Sequence, residues 1–196
     1  MKSGFYVSCK KGREEKAFKE FLGVLTNLVD SSKTYDNYEN INIREEILKE
    51  VKSLEKNPFK IYFQYRSMFF VSNDSELSPS CIFRALRERA IYFSYIQRII
   101  PIDEFFKFDS DKIKSFIQNK FMHLHKSYKI IYEERFVPED TRLKVFDSIT
   151  NVVNLKVDLT SPYYLVVVQA LKNNVGISII TDEPSNFNFS KENSTK

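Results

Sequence analysis

Apolar residues form alternating strand-like runs and helix-like stripes along most of the chain. Near the C-terminus, two β-rich runs at residues 163–168 and 177–180 are joined by a turn at Asn173-Asn174. Runs of this length and composition predict paired strands buried at the centre of a sheet. With their polar entry they form residues 156–181, and we expect the rest of the chain to pack around this segment.

The N-terminal half carries the signals of four strands and two helices. Apolar runs at residues 4–9, 59–63, 68–72 and 95–100 predict the strands. Ser78-Pro79 predicts the start of one helix, with a buried face that includes Ala90. The other helix follows from an apolar stripe of Ala17, Phe18, Phe21, Leu22, Leu25, Leu28 and Val29, which a polar loop at residues 30–42 should end. Setting aside an extra helix marked by Ile43, Ile47, Val51 and Leu54, the order is β-α-β-β-α-β, that of a ferredoxin-like domain.

A second unit is predicted after Pro101, which we expect to end the fourth strand. A helix stripe, a strand at residues 128–136 and another helix stripe precede the buried hairpin. The two stripes are Ile113, Phe116, Ile117 and Phe121, and then Leu143, Phe146, Ile149 and Val153, with Pro138 and Glu139 in the first turn of the second helix. The sequence therefore predicts an α/β (α+β) protein with domains at residues 1–104 and 105–183, followed by a poorly ordered polar tail at 184–196.

Composition sets limits on the class of protein. Apolar residues make up 42% and aromatic residues 15%, which excludes a chain disordered throughout. A net charge of +4 suits a polyanionic partner, although ordinary domains also carry it. Without a membrane-spanning window or a signal-peptide core, we expect an intracellular protein of the nucleus, nucleolus or cytoplasm, with no membrane partner. Cys9 and Cys81 lie in apolar segments and are expected to be buried, reduced thiols.

The residue patterns of common catalytic sites are missing from the sequence. The four glycines are scattered, which excludes a P-loop or a dinucleotide fingerprint. His123 and His125 have no cysteine or carboxylate at ligand spacing, so an exposed pair is favoured over a metal site. Asp158 interrupts an apolar stretch, and we expect it to accept backbone N–H bonds in a turn. We therefore predict no enzyme activity, no catalytic residue, no cofactor and no metal.

Two clusters of basic residues remain as candidate chemistry. Four arginines, Arg84, Arg87, Arg89 and Arg98, accompany a single acid, Glu88. Five lysines, Lys112, Lys114, Lys120, Lys126 and Lys129, follow Asp111. Lysine and arginine beside exposed tyrosine suit contact with an RNA backbone and stacking on bases. A solvated helix face explains the charge pattern equally well, so charge alone does not decide between the two.

Four segments of the chain resemble THUMP-domain proteins. They are SYIQRIIPIDEF at residues 94–105, YKIIYEER at 128–135, KVDLTSPYYLVVVQALK at 156–172 and VGISII at 175–180. The opening GFYVSCKKGREEKAFKE and the tail triplet Phe187-Asn188-Phe189 extend the likeness over nearly the whole chain. It is closest to the stand-alone eukaryotic THUMP proteins that serve as tRNA adaptors for cytidine N4-acetylation.

This resemblance implies a non-catalytic RNA-binding protein. A ferredoxin-like domain would precede a THUMP domain with a central mixed sheet, whose family profile begins near residue 76. The implied partners are tRNA and a large RNA cytidine acetyltransferase, which would carry acetyl-CoA and ATP. The adaptor would direct that enzyme to serine and leucine tRNAs, where a D-arm cytidine becomes N4-acetylcytidine. An alternative is a protein–protein interaction module of the same fold with little RNA affinity, which would use exposed aromatics and the acidic loop at residues 30–42.

The resemblance also points to individual phosphate contacts. Arg98 lies in the family's aromatic-Ile-Gln-Arg motif, Arg135 ends the strand motif, and Lys156 and Lys172 bracket the hairpin. Lys129, Arg142 and Lys144 are further candidates, and for each of the seven a surface charge or a structural ion pair is the alternative. Glu133 stands where the family commonly has a lysine, which shifts weight from this strand to Arg98 and to the lysines at residues 112–129.

Overall fold

The computed structural model describes residues 2–33, 57–122, 124–181 and 187–190, which form seven strands and four helices. The strands are β1 (Lys2–Cys9), β2 (Phe59–Tyr65), β3 (Met68–Asn73), β4 (Ile96–Lys107), β5 (Tyr128–Arg135), β6 (Tyr164–Leu171) and β7 (Asn174–Thr181). The helices are α1 (Glu14–Lys33), α2 (Pro79–Glu88), α3 (Ser110–Phe121) and α4 (Thr141–Thr150). No helix within these ranges is long and apolar enough to cross a membrane. The predicted α+β class is confirmed.

The chain divides into two compact units. The N-terminal unit comprises Gly4–Ile100 and the tail from Asn188, and the C-terminal unit is built mainly from Pro101–Phe187. The division falls inside β4, so this strand contributes residues to both units. The predicted extra helix at Ile43, Ile47, Val51 and Leu54 lies outside the residues that the structure describes.

The N-terminal unit has the predicted ferredoxin-like order. Across the sheet, its strands lie in the order β2-β3-β1-β4, and β3 pairs antiparallel with both β1 and β2. The apolar stripe of α1 packs on β1, where the rings of Phe21 and Phe5 meet edge to face at 5.4 Å between centroids. A side chain could not replace Gly4, because a Cβ atom there would lie 1.9 Å from the carbonyl oxygen of Val71.

The C-terminal unit contains a mixed sheet with the order β4-β7-β6-β5. β6 pairs antiparallel with β7 and parallel with β5. Every residue of β6 is buried, and α3 and α4 contribute Ile117 and Val145 to the core below Val166 and Val168. Each such aliphatic side chain contributes about 1.5–3 kcal/mol through burial. The predicted central hairpin and mixed sheet are therefore confirmed.

Three predictions at the ends of helices and strands are wrong. The strand that begins near Tyr95 continues through Pro101 to Lys107. Proline removes a hydrogen-bond donor, but its φ of about −65° is compatible with extended backbone, so it did not force a turn. Helix α1 extends to Lys33, past residue 30, where the loop at residues 30–42 was predicted to begin. Helix α2 ends at Glu88, so Ala90, predicted to lie on its buried face, is exposed.

The buried face of α4 differs from the predicted stripe. Leu143 is 69% exposed, whereas Thr141, Val145, Ser148 and Ile149 are buried. Two of these four residues are small and polar, so a search for apolar spacing missed them. The predicted stripe is wrong at Leu143, whereas its members Ile149 and Val153 are buried as expected. Pro138 and Glu139 precede the helix instead of forming its first turn.

The predicted lack of order in the tail is wrong for Phe187, Asn188, Phe189 and Ser190. Asn188 and Ser190 form isolated bridges with Arg98 and Phe93, and Phe189 is 1% exposed. Two aromatic side chains are therefore enough to order this part of a polar segment, because burial of each ring stabilises the ordered state.

The prediction that both thiols are buried is confirmed for Cys9 and wrong for Cys81, which is exposed.

Candidate functional site

The strongest candidate site lies where β5 and β6 begin. Because these strands are parallel, with Tyr128 opposite Tyr164, their first residues share one edge of the C-terminal unit. The backbone N–H groups of Tyr163 and Tyr164 donate to the carbonyl oxygen of Ser127, at 3.1 and 3.0 Å. The segment before β6 also reaches β5, through a bridge between Tyr128 and Val157. We call this edge the strand-start surface and define it by Lys126, Lys129, Lys156 and Tyr163.

A cation and an aromatic ring meet at the centre of the strand-start surface. The ammonium nitrogen of Lys126 lies 3.6 Å from the ring centroid of Tyr163. Tyr163 is 46% exposed, and Tyr164 supports its ring in an edge-on arrangement at 4.8 Å. A half-exposed ring beside a lysine combines a stacking platform with a phosphate-binding charge.

The loop at residues 156–162 is held by hydrogen bonds to Asp158, as the sequence predicted. One carboxylate oxygen of Asp158 accepts the N–H groups of Ser161 and Thr160, at 2.9 and 3.0 Å. These two bonds favour the ionised form and lower the pKa of Asp158. Lys129 fastens the loop from the other side, because its Nζ donates to the carbonyl oxygen of Leu159 at 3.1 Å. The loop therefore presents Lys156 in a defined conformation.

The predicted residues Lys156 and Lys172 do not belong to one site. They lie before and after the eight residues of β6, so about 25 Å of strand separates them. Lys172 instead lies next to Arg135, since its backbone N–H donates to the carbonyl oxygen of Arg135 at 3.0 Å. Glu133, which stands where the resembled family commonly has a lysine, lies in the later half of β5. It is opposite Gln169 and away from the strand-start surface.

The remaining predicted residues lie elsewhere. The guanidinium of Arg142 packs near the rings of Tyr132 and Phe146, at 5.9 and 5.7 Å. Lys144 forms an ion pair with Asp140 and lowers the pKa of that carboxyl group. Arg98 is half-buried on β4 in the N-terminal unit, where its backbone bridges to Asn188.

Part of the lysine cluster is neutralised by acids at the start of α3. Lys112 lies 3.9 Å from Asp109, and Lys114 lies 3.2 Å from Asp111. Such exposed pairs contribute only about 0–1 kcal/mol to stability, but they reduce the local positive field. The charge count at residues 112–129 therefore overestimates the basic surface, because Asp109 was left out of it.

Residues that could hold a metal ion are not gathered in the described part of the chain, where no three of His, Cys, Asp and Glu form a cluster. His125 is exposed, and its predicted companion His123 lies outside the described residues. Burial raises the pKa of the Cys9 thiol to about 11, which keeps it protonated and unreactive near neutral pH.

Sequence reasoning did not select Lys126 and Tyr163 as site residues. Lys126 was only one member of the lysine cluster, and Tyr163 opened a run that predicts a buried strand. The structure places Tyr163 one residue before β6, directly after the buried Pro162. That position after a proline was the only signal that its side chain could point away from the core.

Comparison with known protein families found no matching family. A search of curated proteins found no match either. Among solved structures, PH1313 from Pyrococcus horikoshii Ot3 superposes with a TM-score of 0.51 and 17% identity, over 91% of this chain and 55% of that chain. TrmN from Thermus thermophilus gives a TM-score of 0.44 and 10% identity, over 93% of this chain and 46% of its own. A 4-thiouridine synthetase in complex with RNA and ATP gives 0.47 and 14% identity, over 93% and 42%.

The likeness to PH1313 shows a shared fold. The chain spans about half the length of these solved structures. Their activities therefore belong to proteins with a large additional part.

Proposed function

We propose that this protein binds tRNA through the strand-start surface, as a non-catalytic adaptor for an RNA-modifying enzyme. The observation that carries the proposal is the ammonium group of Lys126 beside the half-exposed ring of Tyr163, with Lys129 and Lys156 at the same edge. The resemblance of this chain to stand-alone THUMP proteins supports the same function.

The chemistry of the strand-start surface suits RNA. Each lysine that neutralises a phosphate releases condensed counterions, which makes binding favourable and dependent on salt. An exposed aromatic ring stacks on any unpaired base and so adds affinity without requiring one sequence. Asp158 carries the only carboxylate in the loop at residues 156–162. One of its oxygens accepts two backbone N–H bonds, which hold the carboxylate in the turn.

The enzyme partner in this proposal is an RNA cytidine acetyltransferase. It would supply acetyl-CoA and ATP, and the adaptor would supply the tRNA-binding surface. Serine and leucine tRNAs, with N4-acetylcytidine in the D-arm, are the proposed targets. This finer assignment rests on the sequence resemblance, since no contact in the structure selects a particular tRNA.

Charge reversal tests the RNA-binding surface directly. We expect Lys129→Glu with Lys156→Glu to weaken binding of full-length tRNA at least tenfold at about 0.1 M salt, because two phosphate contacts become repulsive. Arg135→Glu with Lys172→Glu is the matched control, with the same charge change at the opposite strand ends. Fluorescence anisotropy over a salt series measures both. Equal losses of tRNA affinity in the two variants would show that the strand-start surface is not the binding site. If the unmodified protein does not bind tRNA at low salt, the proposed function is wrong.

Mapping of N4-acetylcytidine tests the adaptor role. In cells that lack the protein, we expect the modification to disappear from the D-arms of serine and leucine tRNAs and to return with the unmodified chain. The Lys129→Glu, Lys156→Glu variant should fail to restore it. Unchanged acetylation in the deleted cells would overturn the adaptor role. If both charge-reversed variants restore acetylation fully, the protein–protein module without RNA affinity is the better description.

A further inference from the structure

The outer edge of β5 is open over most of its length. β5 is the last strand in the order β4-β7-β6-β5, and among the residues that the structure describes it pairs along its length with β6 alone. On its other side, only the first residue is covered, because Tyr128 N–H donates to Lys156 and Asp158 N–H donates to Tyr128, both at 3.0 Å. Beyond Tyr128, no strand of the described residues follows this edge.

The backbone groups along this edge can be assigned by alternation. Odd-numbered residues face β6, as shown by the carbonyl oxygens of Ser127 and Arg135, which accept from the segment containing β6. Even-numbered residues therefore face outward, as Tyr128 does. The next three are Ile130, Tyr132 and Glu134, and their backbone N–H and C=O groups have no hydrogen-bond partner in the described structure. Six polar groups thus line about 13 Å of open edge.

The order of these groups identifies the class of ligand. Along the edge, N–H donors alternate with C=O acceptors, which is the pattern that a second polypeptide strand satisfies. An RNA backbone offers phosphate acceptors to the donors but would be repelled by the carbonyl oxygens. Folded proteins commonly protect such edges with charges or proline. Here the centre of the edge is Ile130, Ile131 and Tyr132, which favours a peptide with apolar side chains.

A second copy of this chain does not fit the edge in a symmetric dimer. Two-fold antiparallel pairing centred on Ile131 would place Glu134 of one copy opposite Tyr128 of the other, where Val157 already lies. Centring on Tyr132 would place Lys129 opposite Arg135, and centring on Glu133 would place that residue opposite itself. Like charges in direct opposition destabilise a strand pair, so every register has a clash or a repulsion.

We propose that the β5 edge is a docking site for a short extended peptide of a protein partner, added as a strand beside Ile130, Tyr132 and Glu134. Cross-strand pairing specifies its chemistry, with β-branched residues opposite Ile130 to Tyr132 and acidic residues opposite Lys129 and Arg135. This site shares Lys129 with the strand-start surface, but it does not depend on tRNA binding. If the adaptor role holds, the edge gives the protein a second surface with which to meet its enzyme.

A synthetic peptide tests the proposal on the full chain. The probe is Asp-Thr-Lys-Val-Ile-Val-Asp, whose side chains complement β5 in the antiparallel direction. Its matched control has the same side chains but carries N-methyl groups on the three amides that would face β5. With about 1 mM probe, we expect hydrogen exchange of the Ile130, Tyr132 and Glu134 amides to slow at least tenfold, and the N-methylated peptide to have no effect. No slowing, or equal slowing by both peptides, would overturn the docking site.

A pair of substitutions separates the edge from the fold. Glu134→Pro removes one outward N–H without touching the bonds to β6, and we expect it to weaken probe binding at least fivefold. Glu134→Ala keeps the N–H and should bind normally; if it weakens binding equally, the backbone donor is not the determinant and the proposal fails. Lys126→Glu with Lys156→Glu, two changes outside β5, should lower tRNA affinity while leaving the amide protection at Tyr132 and Glu134 intact. Protection of the same amides by tRNA alone would assign the edge to RNA and overturn the proposal.

Discussion

Two cation–aromatic contacts in this protein have opposite environments. In the N-terminal unit, the guanidinium of Arg87 lies 5.0 Å from the ring of Phe189, and that ring is 1% exposed. In the C-terminal unit, the ammonium of Lys126 lies 3.6 Å from the ring of Tyr163, and that ring is 46% exposed. One contact closes a packed site, and the other leaves a ring accessible to solvent.

The contact at Arg87 is one part of a closed set of interactions. Phe189 packs edge-on against Phe83 and Phe93, at 5.6 and 6.1 Å, and its backbone bonds to Phe93 and Gln97. Arg87 also donates to the carbonyl oxygen of Asn188 at 3.4 Å. The ring of Tyr163 is less enclosed, since its ring contacts among the described residues are with Tyr164 and Lys126. Burial of the ring, and not the charged contact itself, therefore distinguishes a structural pair from a candidate binding pair.

Removal of the buried ring should have the largest effect. We expect Phe189→Ala to lower the free energy of unfolding of the N-terminal unit by about 3–5 kcal/mol, because it leaves a cavity between Phe83 and Phe93. Chemical denaturation measures the loss, and Phe189→Leu is the control that retains much of the volume. A loss below about 1 kcal/mol would show that the tail contributes little to this unit.

Removal of the exposed ring should act on binding instead. We expect Tyr163→Ala to weaken tRNA binding by about 1–3 kcal/mol, the usual contribution of one stacked base, with little change in stability. Tyr163→Phe keeps the ring and should retain the affinity. Equal affinity of the Ala and Phe variants would exclude stacking on Tyr163.

Truncation of the two cationic side chains should have smaller effects of the same two kinds. The change at Arg87 should reduce stability, and the change at Lys126 should affect tRNA binding. Arg87→Ala should reduce stability by about 0.5–2 kcal/mol, because a partly buried cation–π contact and a hydrogen bond are lost. Lys126→Ala should change stability by less than about 0.5 kcal/mol but reduce the salt dependence of tRNA binding. If Lys126→Ala reduces stability as much as Arg87→Ala, the contact at Lys126 is structural as well, and the distinction between a structural pair and a binding pair is wrong.

The smallest expected effect is the pH dependence of the loop at Asp158. Its pKa is lowered in the folded protein, so its contribution to stability is complete above the usual value of about 3.9 and is lost as pH falls through the lowered pKa. Urea midpoints of Asp158→Ala and the unmodified protein should therefore differ near pH 7 and converge as the pH falls through the lowered pKa of Asp158. Asp158→Asn, which keeps an acceptor oxygen, should show a smaller difference. A difference that persists unchanged into acid would assign the effect to something other than the ionised carboxylate.

Much of the fold could be predicted because its signals are local. The stripe of α1, the Ser78 cap of α2 and the apolar run of β6 each lie within one element, and all three are present in the structure. The stripe of α4 was wrong at Leu143, because the polar residues Thr141 and Ser148 occupy part of the buried face. The course of β4 past Pro101 failed because proline is compatible with an extended strand.

Hydrophobic periodicity and turn chemistry act over a few residues, so they were enough to predict the element order, the α+β class and the turn at Asp158. Which charges share a surface depends on strand pairing, and local patterns do not show it. Parallel pairing of β5 and β6 brings Lys126 to Tyr163, whereas the length of β6 separates Lys156 from Lys172. The open edge of β5 and the burial of Phe189 are likewise properties of strand order and packing, and no local pattern records them.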